Sequence, residues 1–227
     1  MQIIDVFGYP VGIIQPFSNA EVLDIQNEVD AFIRDKQRGE GVTILETTNW
    51  NAHCLTSAPD GYGKKDDEDV GEEHPYTRDD SIIVRAVKQC LTQYLETIGL
   101  GHLRPAMYKC GKEDCDECFK DCWINVYREG HFQETHWHHE NNDGCVFGFV
   151  YFIKYDHARD GKFTFVNPAP DLNVEGLDAC PAFRREFVPD VTQGTLMFFP
   201  SFMLHRVTTQ PSDSERITMA GNFFVGV

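Results

Sequence analysis

The segment at residues 123–138 reads W-I-N-V-Y-R-E-G-H-F-Q-E-T-H-W-H, and its two last histidines, His136 and His138, are two positions apart. Side chains in an extended strand alternate between its two faces, so both imidazoles are expected to leave the same face. Two imidazoles on one face can bind the same metal ion. The segment therefore predicts a β-strand that carries part of a metal site.

A third histidine and an arginine follow in the order that such a site needs. His205 comes after an apolar run from Gly194 that predicts a second strand and its exit, and Arg216 lies in E-R-I-T, eleven residues further on. Arginine can pair both oxygens of a carboxylate, and Thr218 shares its face of a strand. We therefore expect a third metal ligand and an anion site, although a structural salt bridge, for example with Glu215, is an alternative role for Arg216.

Length and charge limit the classes of protein that this chain can represent. With 227 residues and 41% apolar residues, it can form one compact domain with a substantial core. The net charge of -16 argues against nucleic acid as a partner. The N-terminus has no basic, apolar signal pattern and no apolar run is long enough for a membrane span, so we expect a cytoplasmic protein. The acidic run at 66–74 predicts an exposed loop, with a docking site or a lid as alternatives.

The local patterns divide the chain into a helical and a β-rich region. Ser18 and Glu21 form a capping box before apolar residues at helical spacing, and a second amphipathic helix is expected from Asp79 or Asp80 towards Gly99. From Arg104 onward, short β-prone runs alternate with turn residues, which is typical of a sandwich or barrel. We therefore expect a helical and loop support region at 1–103, packed on a β core at 104–227 as one compact domain.

Five motifs in order resemble one family of enzymes. They are W-I-N-V-Y-R-E-G, H-W-H, G-K-F-T-F-V-N-P, P-D-V-T-Q-G-T-L-M-F-F-P-S-F-M-L-H and E-R-I-T-M-A-G-N. This order is similar to that of a bacterial and phage family of 2-oxoglutarate- and Fe(II)-dependent dioxygenases. The resemblance implies an α+β, mainly β fold, the double-stranded β-helix or jelly roll of the cupin type, with supporting N-terminal helices. It also implies O2-dependent hydroxylation of a small molecule or a protein side chain, while 2-oxoglutarate loses CO2 to become succinate. A phage-encoded member would act in the host cytoplasm.

The resemblance also assigns roles to individual residues. It implies that His136, His138 and His205 bind iron, and that Arg216 and Thr218 bind 2-oxoglutarate together with Asn125, Tyr127 and Asn222. His138 stands where many relatives carry a carboxylate, and an H-x-E ligand pair from His138 and Glu140 is the alternative. Because three neutral imidazoles leave the ion more charge, such a site should be more Lewis acidic and hold Fe(II) less tightly.

A four-cysteine insertion lies directly before Trp123. Cys110, Cys115, Cys118 and Cys122 give C-x4-C-x2-C-x3-C, a compact spacing that suits tetrahedral zinc. The other cysteines are scattered, which favours a reduced compartment with one structural zinc site. An iron–sulfur cluster and unliganded thiols are the alternatives.

Two other functions remain compatible with these motifs. One is a three-histidine iron dioxygenase of cupin type that does not use 2-oxoglutarate. The other is a non-catalytic jelly-roll module that binds metal. Arg216 and its E-R-I-T context favour the 2-oxoglutarate enzyme over both.

Overall fold

The computed structural model describes residues 1–38, 50–51, 53–56, 81–106, 122–138, 145–169, 183–211 and 214–226. Its strands are β1 (Gln2–Val6), β2 (Tyr9–Ile14), β3 (Trp50–Asn51), β4 (His53–Thr56), β5 (Arg104–Ala106), β6 (Cys122–Tyr127), β7 (Phe132–His136), β8 (Cys145–Lys154), β9 (Phe163–Val166), β10 (Glu186–Phe187), β11 (Leu196–Pro200), β12 (His205–Val207) and β13 (Arg216–Gly226). The helices are α1 (Asn19–Arg38) and α2 (Ile82–Thr97).

The strands form two antiparallel sheets. The larger sheet has the order β1-β2-β11-β8-β13-β6-β4, and β5 also pairs with β13. The smaller sheet has the order β10-β9-β12-β7-β3. The chain leaves β11 after Pro200 and crosses to the smaller sheet. His205 is the first residue of the next strand, β12, in that sheet.

Both helices begin at side-chain caps. The Ser18 backbone N–H donates to Glu21 Oε2 at 2.8 Å, and the Glu21 backbone N–H donates to Ser18 Oγ at 3.4 Å, as the predicted capping box requires. The second helix begins at Ile82, slightly later than expected, because the Ser81 hydroxyl accepts the Val84 N–H at 3.1 Å.

Strand alternation separates two layers of buried side chains. On β6 and β13, Ile124, Val126, Ile217 and Met219 face the helices and belong to a core that includes Val29, Val87 and Tyr94. The Tyr94 ring stacks on Phe198 at a centroid distance of 5.6 Å, and its hydroxyl donates to the Pro10 carbonyl at 2.7 Å. The opposite face of the larger sheet meets the smaller sheet in a second core, so the next residues along β6 and β13 point between the sheets.

The N-terminal region contributes strands as well as the two expected helices. β1 and β2 form a hairpin through Phe7 and Gly8, both with positive φ, and β2 pairs with β11. This hairpin extends the larger sheet by two strands. The boundary at residue 103 therefore stays a prediction. No helix within the described ranges is long and apolar enough to cross a membrane.

Candidate active site

Three histidines meet between the sheets. His136 ends β7, His205 begins β12, and the two are Cα partners across the ladder. His138 follows the end of β7, and its backbone N–H donates to the Ser201 carbonyl at 2.9 Å. The Nε2 atoms of His138 and His205 lie 3.1 Å apart, and one nitrogen from each of the three rings lies within 4.8 Å of the others. Two nitrogens at about 2.1 Å from one ion and at right angles to each other are about 3 Å apart, so this spacing suits a shared metal.

Burial keeps these imidazoles neutral. It lowers the pKa of His138 to about 3, with the charge of His136 as the second cause, and it lowers the pKa of His205 well below its ordinary value. Burial also lowers the pKa of His136. The Nδ1–H groups of His136 and His205 donate to the carbonyls of Glu134 and Met203, at 2.7 and 2.8 Å. These bonds leave the lone pair on Nε2, which is the form of histidine that binds metals.

Four aromatic rings form a stack through the histidine cluster. Trp123 lies 5.6 Å from His138 with 16° between the planes, and His138 lies 5.0 Å from His205 with 2° between them. Phe163 continues the stack on the other side of His205, at 5.1 Å and 19°. The planes of two of the candidate ligands are therefore set by the rings on either side.

Arg216 marks the other end of the site. The residue is 0% exposed, and none of its three guanidinium nitrogens has a hydrogen-bond partner within the described ranges. The rings of Tyr127, Phe152 and Tyr155 surround it, with centroids 4.6, 5.6 and 5.7 Å from Cζ. Burial lowers the pKa of Arg216, while Tyr127, Tyr155 and Asp160 oppose this shift. An arginine stays protonated under these conditions, so the site contains a buried cation.

A ladder of paired side chains connects the two ends. Arg216 pairs with Tyr127, Thr218 with Asn125, and Ala220 with Trp123, and all six residues line one cavity together with the three histidines. Arg216 and Ala220 are four residues apart, which corresponds to about 13 Å along a strand. Because Trp123 stacks on His138, the ladder runs from the buried cation to the histidine cluster.

Seven of the eight residues predicted for iron and 2-oxoglutarate line this cavity. Asn222 does not line it, but its side chain raises the pKa of His138 against the effect of burial. Nine other lining residues were not predicted from the sequence, and they include Trp123, Ala220 and Gln133, whose side-chain oxygen accepts a hydrogen bond from the Tyr127 hydroxyl at 3.0 Å. The alternation of β6 could have identified Trp123, because it is two residues from Asn125. The roles assigned to all of these residues stay predictions.

Several predicted features lie outside the described residues. They include Glu140, the acidic run at 66–74, and Cys110, Cys115 and Cys118. Cys122 begins β6, but its side chain is also outside the description.

Comparison with known proteins shows which family the histidine region resembles. Residues 121–222 match a family model described as “Putative 2OG-Fe(II) oxygenase”. The matched region is slightly less than half of the chain and contains His136, His138, His205 and Arg216. The 2OG-Fe(II) oxygenase assignment confirms the class of enzyme predicted from the motifs, with Fe(II) as metal and 2-oxoglutarate as co-substrate. A search of curated proteins gave no match.

Solved structures of oxygenases share the fold over nearly the whole chain. A prolyl-4-hydroxylase from Pseudomonas putida is 16% identical, with 94% of this chain and 91% of that chain covered and a TM-score of 0.53. A viral collagen prolyl hydroxylase from Paramecium Bursaria Chlorella virus-1, solved with 2OG, is 13% identical, with 96% of both chains covered and a TM-score of 0.51. HygX from Streptomyces hygroscopicus, solved with nickel and 2-oxoglutarate, is 12% identical, with coverages of 94% and 82% and a TM-score of 0.53. The predicted jelly-roll fold is thus confirmed.

Proposed function

We propose that the chain hydroxylates its substrate with 2-oxoglutarate as co-substrate, that His136, His138 and His205 hold the iron, and that Arg216 binds the distal carboxylate of 2-oxoglutarate. One observation carries this proposal. A fully buried cation without a hydrogen-bond partner in the described chain shares a cavity with three neutral imidazoles. A buried charge is costly unless it is paired, so a ligand anion would supply what the protein lacks.

The cavity residues suit the two ends of 2-oxoglutarate. Arg216 can donate two parallel hydrogen bonds to one carboxylate, with Thr218 on the same face of β13 as a further donor. The neutral histidines offer Nε2 lone pairs to a ferrous ion, and they leave coordination positions open. Iron bound there supplies the O2 chemistry in which 2-oxoglutarate becomes succinate and CO2 and a substrate C–H bond is hydroxylated. The aromatic walls around Arg216 exclude water, which strengthens its attraction for the anion.

An anaerobic titration tests the co-substrate site directly. Fe(II) and then 2-oxoglutarate are added to the protein, and the weak visible charge-transfer band of a chelated complex is recorded. We expect this band in the wild type and its loss in Arg216→Ala. Arg206→Ala is the matched control, because Arg206 follows His205 but pairs with Glu186 at 2.8 Å and its side chain is 38% exposed. An unchanged band in Arg216→Ala would refute the role of Arg216.

Turnover separates this proposal from its two alternatives. Succinate that forms only with Fe(II), O2 and 2-oxoglutarate supports the proposed enzyme. O2 consumption without need for 2-oxoglutarate would favour the three-histidine dioxygenase of cupin type. His205→Ala should abolish turnover, whereas a binding module would keep its partner binding in that variant.

The substrate class remains the small molecule or protein side chain implied by the motifs. Two of the similar structures are named as prolyl hydroxylases, which supports testing proline-containing peptides first. Hydroxylation would appear as a gain of one oxygen in the peptide mass, in step with succinate.

A structural zinc at Cys110, Cys115, Cys118 and Cys122 is part of the proposal and is supported by their spacing. We expect about one zinc per chain in the purified protein. Metal analysis that finds no zinc, with all four thiols reactive, would remove this site. The division at residue 103 and a cytoplasmic location are proposed on the same footing, from sequence patterns.

A further inference from the structure

We propose that Trp123 is a positioning residue that sets the ring plane of His138 for metal binding. This inference rests on the proposed metal site. Neither the sequence motifs nor the predicted ligands give Trp123 a role of its own.

His138 needs such support because β7 ends before it. The last residue of that strand is His136, and the hydrogen bond of the His138 backbone N–H to Ser201 holds the main chain but not the side chain. Among the hydrogen bonds of the described residues, the His138 side chain has the contact of its Nε2 with His205 Nε2 at 3.1 Å, which lies at one edge of the imidazole. A contact at one edge leaves the ring able to tilt about it, so a face contact is needed to define its plane.

Trp123 provides that face contact from a fixed platform. Its indole stacks on His138 at 5.6 Å and 16°, while His205 covers the opposite face of His138 at 5.0 Å and 2°. Trp123 lies on β6, which is paired on one side with β13 through Ala220 and on the other side with β4 through Thr56. The backbone from which the indole extends is therefore fixed on both sides. His138 is held between two rings in the orientation that brings its Nε2 to 3.1 Å from that of His205.

Removing the platform should weaken metal binding without removing a ligand. Partners that orient a metal-binding histidine typically change affinity by about 10- to 100-fold when they are lost. Trp123→Leu removes the aromatic face, whereas Trp123→Phe keeps a ring that can stack. Trp137→Leu is the matched control, because Trp137 lies between the two histidines in sequence but is 56% exposed.

The readout is the dissociation constant for Mn(II) alone, from the electron paramagnetic resonance signal of the free ion. Mn(II) is chosen because thiolates prefer softer metals, so the cysteine cluster does not compete for it. We expect Trp123→Leu to raise the dissociation constant about 10- to 100-fold. Trp123→Phe should stay within about threefold of wild type, and Trp137→Leu should not differ from it. Thermal unfolding without metal establishes that each variant is folded, and Trp123→Met replaces the leucine variant if that one does not fold.

Two results would overturn the proposal: wild-type affinity in a folded Trp123→Leu or Trp123→Met variant, or an equal loss of affinity in Trp123→Phe. The second result would show that something other than ring stacking connects Trp123 to the metal. Failure of the wild type to bind Mn(II) or Fe(II) at all would instead refute the metal site of the proposed function.

Discussion

Replacing Arg216 with methionine should stabilise the ligand-free protein while it abolishes 2-oxoglutarate binding. Arg216 is 0% exposed and has no hydrogen-bond partner in the described chain. Transferring such a cation out of water costs several kcal/mol, and attraction to the faces of the surrounding rings returns about 2 kcal/mol or more. Methionine has a similar length and carries no charge, so the desolvation cost disappears.

The expected gain is about 2 kcal/mol, within the range of about 1–4 kcal/mol observed when buried ionic groups are replaced by apolar residues. For a domain of this size, that gain corresponds to an increase of about 4–8 °C in melting temperature. With 2-oxoglutarate at 100 times its dissociation constant, the wild type should gain about 2.7 kcal/mol, whereas the variant should gain nothing. The difference in free energy of unfolding between the variant and the wild type should therefore become smaller or change sign when 2-oxoglutarate is added.

Urea unfolding with saturating Mn(II) is measured with and without 2-oxoglutarate. It gives both the stability gained by the substitution and the stabilisation by 2-oxoglutarate. Arg128→Met is the control, because Arg128 pairs with Glu215 at 3.0 Å with 38% of its side chain exposed, so it should change stability by at most about 1 kcal/mol. A loss of more than about 1 kcal/mol in ligand-free Arg216→Met, with Arg128→Met unchanged, would contradict the reasoning, because it would show that the charge has a structural partner. If 2-oxoglutarate still stabilises Arg216→Met, the anion binds at a site that does not include Arg216.

Three further predictions concern pH and packing. The metal-free protein should lose stability as the pH falls below about 6.5, because the three clustered histidines have lowered pKa values and gain protons on unfolding. Each histidine can contribute up to about 1.4 kcal/mol per pH unit. Urea unfolding at pH 7 and 5.5 measures this loss. Stability that does not change between these values would contradict the lowered pKa values. Gly194→Ala should destabilise the fold by about 1–3 kcal/mol, because its φ is +82° and a Cβ would lie 2.7 Å from Val22. Gly8→Ala is the control, because its φ is +88° but a Cβ there would meet no other atom within 4 Å. It has the backbone strain without the steric clash and should cost less. Tyr94→Phe should cost about 1–3 kcal/mol in thermal unfolding, because the Pro10 carbonyl loses its bond from the Tyr94 hydroxyl, and no cost would show that water replaces it.

The chemistry of the site was largely predictable from local patterns. The spacing of His136 and His138, and that of Arg216 and Thr218, follows strand alternation, which needs no knowledge of the partners. The first helix was predictable for the same reason, because the bonds between Ser18 and Glu21 are made within one turn. Local geometry determines such features, so they survive in any fold that keeps the strand or the helix.

The connection between the two ends of the site was decided by tertiary structure. The register of β6 against β13 places Tyr127 beside Arg216 and Trp123 beside Ala220, and a shift by one residue would turn these side chains towards the helices. Trp123 acquired its contact with His138 in this way. Residue types and their periodicity were thus legible in the sequence. Which side chains meet across the two sheets depends on long-range pairing, which only the packed structure determines.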